Sequence, residues 1–271
     1  MSAAPFARRL LEVTGIDELG AYRLLRVLDP DGPAPLPGQF AMIAAAERWG
    51  GGEDERPYLA RAFSVARWRE REAHFLLEDV GPGSRRLCEL CAGDQLWVLG
   101  PLGSPFTLPA DDAERALLVG GGVGIAPLAI LQDQLAEQVP ALAVRALLGF
   151  RDRERAGGAA LLRDPRVATD DGSVGEGRLV TEMLGEELEQ APGAVYACGP
   201  APMLEAVRAL CAERSVRAEL ALEAPMACGF GACYGCAVAR RGGGYLRVCV
   251  DGPVLDASLL ERVEAHAGAP A

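Results

Sequence analysis

Cys228, Cys233, Cys236 and Cys249 stand in the spacing C-x4-C-x2-C, with the fourth cysteine after twelve further residues. This is the plant-type run for a 2Fe–2S cluster, whose irons are held by thiolates. Three thiols within nine residues must wrap one small anionic core. Gly229, Gly231 and Gly235, interleaved among them, let the backbone turn tightly and aim N–H groups at sulfur. Such a cluster passes one electron at a time, so the pattern points to electron transfer rather than hydrolysis or ligation. A structural zinc ion and four inert buried thiols are the alternatives. Zinc sites usually present two well-separated C-x2–4-C pairs, which this is not.

Four other constellations could bind anions or flat rings. Arg61-Ala62-Phe63-Ser64 combines a phosphate-gripping guanidinium, an aromatic ring and a hydroxyl, which are the three things a flavin nucleotide needs. Taken alone, an arginine on a strand is more often a solvated surface residue. Gly81-Pro82-Gly83-Ser84, before a helix, is either an anion site or an ordinary turn capped by Ser84. Gly120-Gly121-Gly122-Val123-Gly124-Ile125-Ala126-Pro127 follows a strand and opens a helix, where glycines admit phosphate oxygens to the backbone. Cys198-Gly199-Pro200-Ala201-Pro202-Met203 is a second strand–turn–helix junction. In a parallel sheet both turns would lie at the carboxyl ends of strands, where ligands bind. Singly, each could be only a tight connection; together they point to a dinucleotide. Gly149-Phe150-Arg151-Asp152-Arg153 offers both acid and arginine near a ribose 2′ position and leaves NAD and NADP both open. Cys88 and Cys91 fall in a helix-like stretch, Ser84–Cys91, and are expected to pack as small hydrophobes.

The elements that must position these residues fall into three blocks. Up to residue 110, six short strands are expected at Arg9–Thr14, Ala21–Leu28, Gln39–Ala44, Arg61–Ala66, Ala73–Val80 and Gln95–Leu99. Frequent turn signals between them suggest an antiparallel barrel, with Glu47–Arg56 as an exposed loop. Residues 111–217 alternate strand and helix, the grammar of a parallel sheet with crossover helices. Strands are expected at Arg115–Val119, Val144–Gly149, Arg166–Thr169 and Ala194–Ala197. Helices are expected at Pro127–Glu137, Thr181–Gln190 and Pro202–Ala212. Residues 218–271, led by Glu219–Leu222, form a small cysteine-bearing module. The fold class expected is thus multidomain, β plus α/β.

Composition narrows the function. The 271 residues are 50% hydrophobic and 24% charged, enough for two domains and a small module. A net charge of −11 disfavours nucleic acid as a partner. All 27 basic residues are arginine, so Schiff-base lysines and Walker A loops are excluded. Only His74 and His266 are histidines, and neither is given a role. Met1–Leu11 lacks the apolar run of a signal peptide, and no stretch of eighteen apolar residues suggests a membrane span. Eight cysteines, four of them in one motif, suit a reducing cytoplasm better than a disulfide scaffold.

In this order the motifs resemble the ferredoxin–NADP reductase-like superfamily, and within it the electron-transfer subunits of class B dihydroorotate dehydrogenases. Pro37-Gly38-Gln39-Phe40 resembles the start of the flavin barrel, and Arg61–Ser64 is similar to the family's R-P-x-S flavin motif with Ala62 in place of proline. Gly83-Ser84 resembles its G-T pyrophosphate turn. Gly121–Pro127 and Cys198–Met203 are similar to its pyridine-nucleotide motifs, and Thr169–Ser173 to its T-D-D-G-S segment. The cysteine run, closed by Val248-Cys249-Val250-Asp251-Gly252-Pro253-Val254, carries the resemblance furthest. The resemblance implies FAD on Arg61, Ala62, Phe63, Ser64, Leu76, Leu77, Glu78, Gly83 and Ser84. It implies NAD on Gly121, Gly122, Gly124, Pro127, Asp171, Cys198, Gly199 and Pro200, and a 2Fe–2S cluster on Cys228, Cys233, Cys236 and Cys249. It further implies an FMN-containing catalytic subunit, a two-plus-two heterotetramer and a place in pyrimidine biosynthesis. A related subunit of an NAD(P)H:ferredoxin or sulfide-type oxidoreductase is the nearest alternative, and a zinc-stabilised interaction module the alternative of another class.

Overall fold

The computed structural model describes residues 8–50, 57–110, 112–190 and 193–264. Of the expected loop Glu47–Arg56, residues 51–56 lie outside the described residues, as does His266. Six strands form a closed barrel: β1 (Arg9–Leu19), β2 (Tyr22–Leu28), β3 (Phe40–Ala45), β4 (Arg61–Arg69), β5 (Glu72–Glu78) and β6 (Gln95–Leu102). Their order is β1-β2-β5-β4-β3-β6, with every neighbouring pair antiparallel. Period-two alternation turns Val13, Leu25, Val27, Ile43, Phe75 and Leu77 into the barrel core. β1 runs past Thr14, the end expected for it, because the register shifts between Val13 and Gly15 and the strand continues beyond the bulge. Helix α1 (Pro82–Cys88) starts on a proline and buries Leu87 against this core. Cys88 packs partly against the core, but Cys91 is exposed. The helix ends at Cys88, so Cys91 does not share its buried face, which corrects the packed role expected for that thiol.

The second unit is a parallel sheet: β7 (Arg115–Gly121), β8 (Ala143–Phe150), β9 (Arg166–Thr169), β10 (Ala194–Cys198) and β11 (Ala218–Ala221). β7 lies at its centre and is buried from Ala116 to Gly121, as a strand covered on both faces must be. Four helices accompany it: α2 (Ala126–Gln138), α3 (Arg153–Ala156), α4 (Val180–Glu187) and α5 (Ala201–Glu213). The short α3 was not foreseen, because four residues carry no periodic pattern. Its one sequence signal is Asp152, whose side chain accepts the Arg155 N–H at 2.9 Å as an N-cap.

The cysteine loop, residues 223–236, is followed by a hairpin of β12 (Ala237–Ala239) and β13 (Tyr245–Arg247), and then by β14 (Val254–Asp256). β14 returns antiparallel to β11 and becomes the sixth strand of the sheet, in the order β14-β11-β10-β7-β8-β9. The sheet therefore runs across residues 217–218, where the cysteine module was expected to begin. Asp251-Gly252-Pro253-Val254 ties that module down. The Ser104 N–H donates to the Gly252 carbonyl, and the Leu222 N–H to the Pro253 carbonyl at 2.9 Å. Across the barrel–sheet interface, Asp133 of α2 pairs with Arg67 of β4, and within the sheet unit it pairs with Arg163 at 2.6 Å. These guanidinium groups hold the Asp133 carboxyl below its ordinary range against the opposing effect of burial. Among the described residues no helix is long and apolar enough to cross a membrane.

Candidate redox site

The first cradle forms where β4 meets α1. Arg61 opens β4, and its guanidinium lies over Gly83: a Cβ added there would sit 2.6 Å from Arg61 Nε and 2.9 Å from Cζ. The first hydrogen bond of α1 runs from the Arg85 N–H to the Gly81 carbonyl, so the N–H groups of Gly83 and Ser84 precede the helix ladder. The Ser84 hydroxyl serves the turn itself, accepting from the Val80 N–H at 2.9 Å and donating to the Gly81 carbonyl at 3.1 Å. An arginine and two N–H donors thus converge where a pyrophosphate could lie. Ala62 is exposed and Ser64 half-buried on the adjoining strand, whereas Phe63 packs against the barrel core. Leu76 and Leu77 are buried side chains, so a ligand could reach them only through their backbone. Glu78 accepts from Arg155 Nε at 2.9 Å, which joins the barrel to α3.

The second cradle lies at the carboxyl end of the sheet. Strand order reverses between β7 and β10, the switch point at which open parallel sheets leave a crevice. Both glycine turns stand there in contact. A Cβ on Gly124 would lie 2.7 Å from Gly199 Cα, and one on Gly121 would lie 2.9 Å from Pro200 Cδ. Gly122 has φ +55°, a conformation that suits glycine. Pro127 is buried in the first turn of α2. Cys198 is buried at the end of β10, and burial, helped by Glu223, pushes its thiol well up. Asp171 stands farther along the same edge, beyond β9, where its carboxylate accepts the Ser173 N–H at 3.0 Å. Asp152, an acid near the ribose end by sequence, is engaged by Arg155 at 2.6 Å.

Gly124→Ala should expose the tightness of this junction. Its new methyl would meet backbone atoms of residues 198 and 199, which cannot rotate away. Overpacking of this kind costs about 1–3 kcal/mol. A lowered urea midpoint together with weaker NADH binding is the expected result; unchanged NADH affinity would show that the two turns do not share a ligand.

The third site is the cysteine loop. Cys236 and Cys249 are buried with their sulfurs 3.3 Å apart, and Cys233 stands near enough to Cys228 to act on its thiol. Cys228 is half-buried and Cys233 exposed, so one edge of the site faces solvent. Gly229 and Gly231 have φ of +78° and +86°, which L side chains rarely adopt. These turns point N–H groups at sulfur. Burial acts to raise the Cys228 thiol, but the N–H groups of Phe230, Cys233 and Ala232 outweigh it and lower the thiol to about 6. Burial and the neighbouring Cys236 push Cys249 up to about 12. Two pairs of thiols, ringed by N–H donors, fit a cluster in which each of two irons takes two thiolates. Among the described residues no group of three or more His, Cys, Asp or Glu is arranged to hold a single metal ion.

Several supporting residues carried no sequence signal. Arg247 Nη1 donates to the Gly231 carbonyl at 3.3 Å, and its guanidinium lies 5.3 Å from the Tyr234 ring centroid, bracing the loop. Glu223 is open to solvent on one side, while surrounding protein raises its carboxyl. Arg155 links α3 to β5. Each acts on a partner distant in sequence, so no local motif could announce it.

Residues 223–261 match the family model for the iron–sulfur cluster binding domain of dihydroorotate dehydrogenase B. A relative from Caldanaerobacter subterraneus subsp. tengcongensis, named dihydroorotate dehydrogenase B (NAD(+)), electron transfer subunit, is 39% identical over 230 residues. The alignment covers 82% of this chain and 86% of the relative. One of the same name from Geobacillus thermodenitrificans is 38% identical over 229 residues, covering 82% and 85%. Among solved structures, the NADH-dependent reduced ferredoxin-NADP oxidoreductase studied for flavin-based electron bifurcation superposes with TM-score 0.78 at 25% identity, covering 97% of this chain and 92% of that one. A ferredoxin reductase of carbazole 1,9a-dioxygenase shares the fold with TM-score 0.68 at 22% identity, covering 79% and 68%. With its thiol loop, flavin-type barrel and nucleotide-type sheet in one chain, and relatives of this identity along most of its length, the protein belongs to the family of dihydroorotate dehydrogenase B electron-transfer subunits.

Proposed function

We propose that the isolated chain acts as a diaphorase, reducing artificial acceptors with NADH, and that dihydroorotate is oxidised only when it joins a catalytic subunit carrying FMN. Two copies of each subunit would assemble, in the cytoplasm. The observation that carries this reading is the placement of all three cradles on one continuous body: the cysteine loop against β3, β3 paired to the β4 strand of Arg61–Ser64, and the glycine turns on the sheet beside them. Electron transfer between NAD and a partner subunit in pyrimidine biosynthesis is the family's role, and FAD, a 2Fe–2S cluster and NAD are its cofactors.

Each group of residues holds rather than reacts. Arg61 and the Gly83 and Ser84 N–H groups would grip the FAD pyrophosphate, while Ala62, Phe63 and Ser64 face or support its ring. Leu76, Leu77 and Glu78 would contribute through the backbone of β5. Gly121, Gly122, Gly124, Pro127, Cys198, Gly199 and Pro200 would seat NAD, with Asp171 toward its far end. Cys228, Cys233, Cys236 and Cys249 would bind the cluster. When bound, the cluster carries single electrons and the flavin exchanges a hydride with the nicotinamide. No general acid or base is asked of the protein, because hydride transfer depends on how the two rings are held. Eight cysteines, four of them in one cluster motif, suit a reducing compartment better than a disulfide scaffold.

The test uses the purified chain with and without a dihydroorotate-oxidising FMN subunit. NADH-driven dye reduction by the chain alone, and orotate formation with NAD+ only when both are present, are the expected outcomes. Orotate made by this chain alone would sink the proposal.

A further inference from the structure

One face of the barrel carries both the flavin motif and the cysteine module. On β3 and β4, Met42 pairs with Ala62 and Phe40 with Ser64, so these four side chains project from the same face of the barrel wall. The β4 half of that face is open, with Ala62 exposed and Ser64 half-buried. The β3 half is closed: Phe40 and Met42 are each 3% exposed and share a core with Leu102, Cys236, Val248 and Cys249. The boundary between the two halves is the Met42–Ala62 pair.

The cysteine loop touches that boundary through a residue with no side chain. A Cβ on Gly229 would stand 2.5 Å from Met42 Cγ, 2.9 Å from its Sδ and 3.3 Å from Leu102 Cδ1. Gly229 follows the ligand Cys228 directly, and its φ of +78° turns the backbone onto the thioether. The Met42 side chain therefore fills the space between the loop that wraps the cluster and the strand that would carry the flavin edge. Methionine suits this place, being unbranched, polarisable and able to fill an irregular gap.

We propose that Met42 is a positioning residue that sets the separation and electronic contact between the iron–sulfur cluster and FAD. The inference rests on FAD lying along Arg61–Ser64. For each NADH formed, two electrons would have to cross this contact singly, and one proton from water would join them in the hydride passed to NAD+. Gly229 is required so that the backbone beside Cys228 can reach Met42 without an intervening methyl.

The test mixes NADH anaerobically with the purified chain and follows flavin and cluster bleaching separately, in wild type, Met42→Ala and Met42→Leu. In Met42→Ala, flavin bleaching should keep its wild-type rate while cluster bleaching slows several-fold; Met42→Leu, of similar volume, should restore most of it. The magnetic interaction between reduced cluster and flavin, read by electron paramagnetic resonance, should weaken in the alanine variant alone. A purely structural residue would lower the melting temperature of Met42→Ala and leave the ratio of the two bleaching rates at the wild-type value, and that result overturns the proposal. Should Met42→Ala lose its cluster, Met42→Val opens a smaller gap at the same point and is judged by the same ratio. Failure of NADH to bleach either centre in wild type would instead refute the relay on which the inference rests.

Discussion

Cys233→Ser should strip the cluster from the protein and leave the flavin in place. Cys233 is the exposed member of the pair it forms with Cys228, and it ends the turn whose N–H groups face the Cys228 sulfur. A serine hydroxyl is neutral at pH 7 and is a much poorer ligand for iron than a thiolate. Iron content should fall toward zero and the iron–sulfur absorption bleach, while flavin absorption and NADH-driven dye reduction persist. Orotate formation with the catalytic subunit should be lost. Cys211→Ser is the control: this thiol is 1% exposed, lies on α5 and stands outside the C-x4-C-x2-C run and its closing cysteine, so the substitution should leave iron unchanged. Full iron in Cys233→Ser would refute its assignment as a ligand. The separation of the two outcomes follows from the architecture, because the loop packs on the outside of β3 while the Arg61–Gly83 cradle lies at the end of β4.

Arg61→Ala should produce the complementary loss, a protein with its cluster but little flavin. The guanidinium packs over Gly83 at the start of α1, where it and two free N–H groups converge. A charge-assisted hydrogen bond is worth about 1.5–3 kcal/mol, which corresponds to about ten- to hundredfold weaker FAD binding. Flavin should be removed by ultrafiltration and dye reduction restored by added FAD, with iron content unchanged. Arg61→Lys should recover only part of the affinity, since an ammonium cannot offer the planar bidentate fork. FAD retained at wild-type affinity in Arg61→Ala would remove the arginine from the pyrophosphate site.

The two halves of the site were unequally legible. The cysteine loop could be read from spacing because its ligands sit within one short segment, where chain geometry alone limits what can be wrapped. The barrel and the parallel sheet were also readable, from period-two strands and from strand–glycine–helix junctions. Less was readable where partners lie far apart along the chain. Asp152 sits near the expected ribose end, yet its carboxylate is taken by Arg155. Glu78 is drawn to the same arginine from across the domain interface. Cys91 follows Cys88 at helical spacing, but the helix stops between them.

By itself, the order of residues determined that this protein gathers four thiols, bends tightly around them, and carries two glycine turns and an arginine suited to nucleotides. Those properties are local: spacing, backbone freedom at glycine and charge act within a few residues. Only the tertiary structure decided that β14 would join the sheet, that Gly124 would press on Gly199, and that Gly229 would come to rest on Met42. Each of these contacts is set by burying apolar surface between segments tens to nearly two hundred residues apart, and no short-range pattern encodes which surfaces will meet. The cofactor cradles were therefore written in the sequence one by one, while their spacing, on which electron transfer depends, was settled by packing.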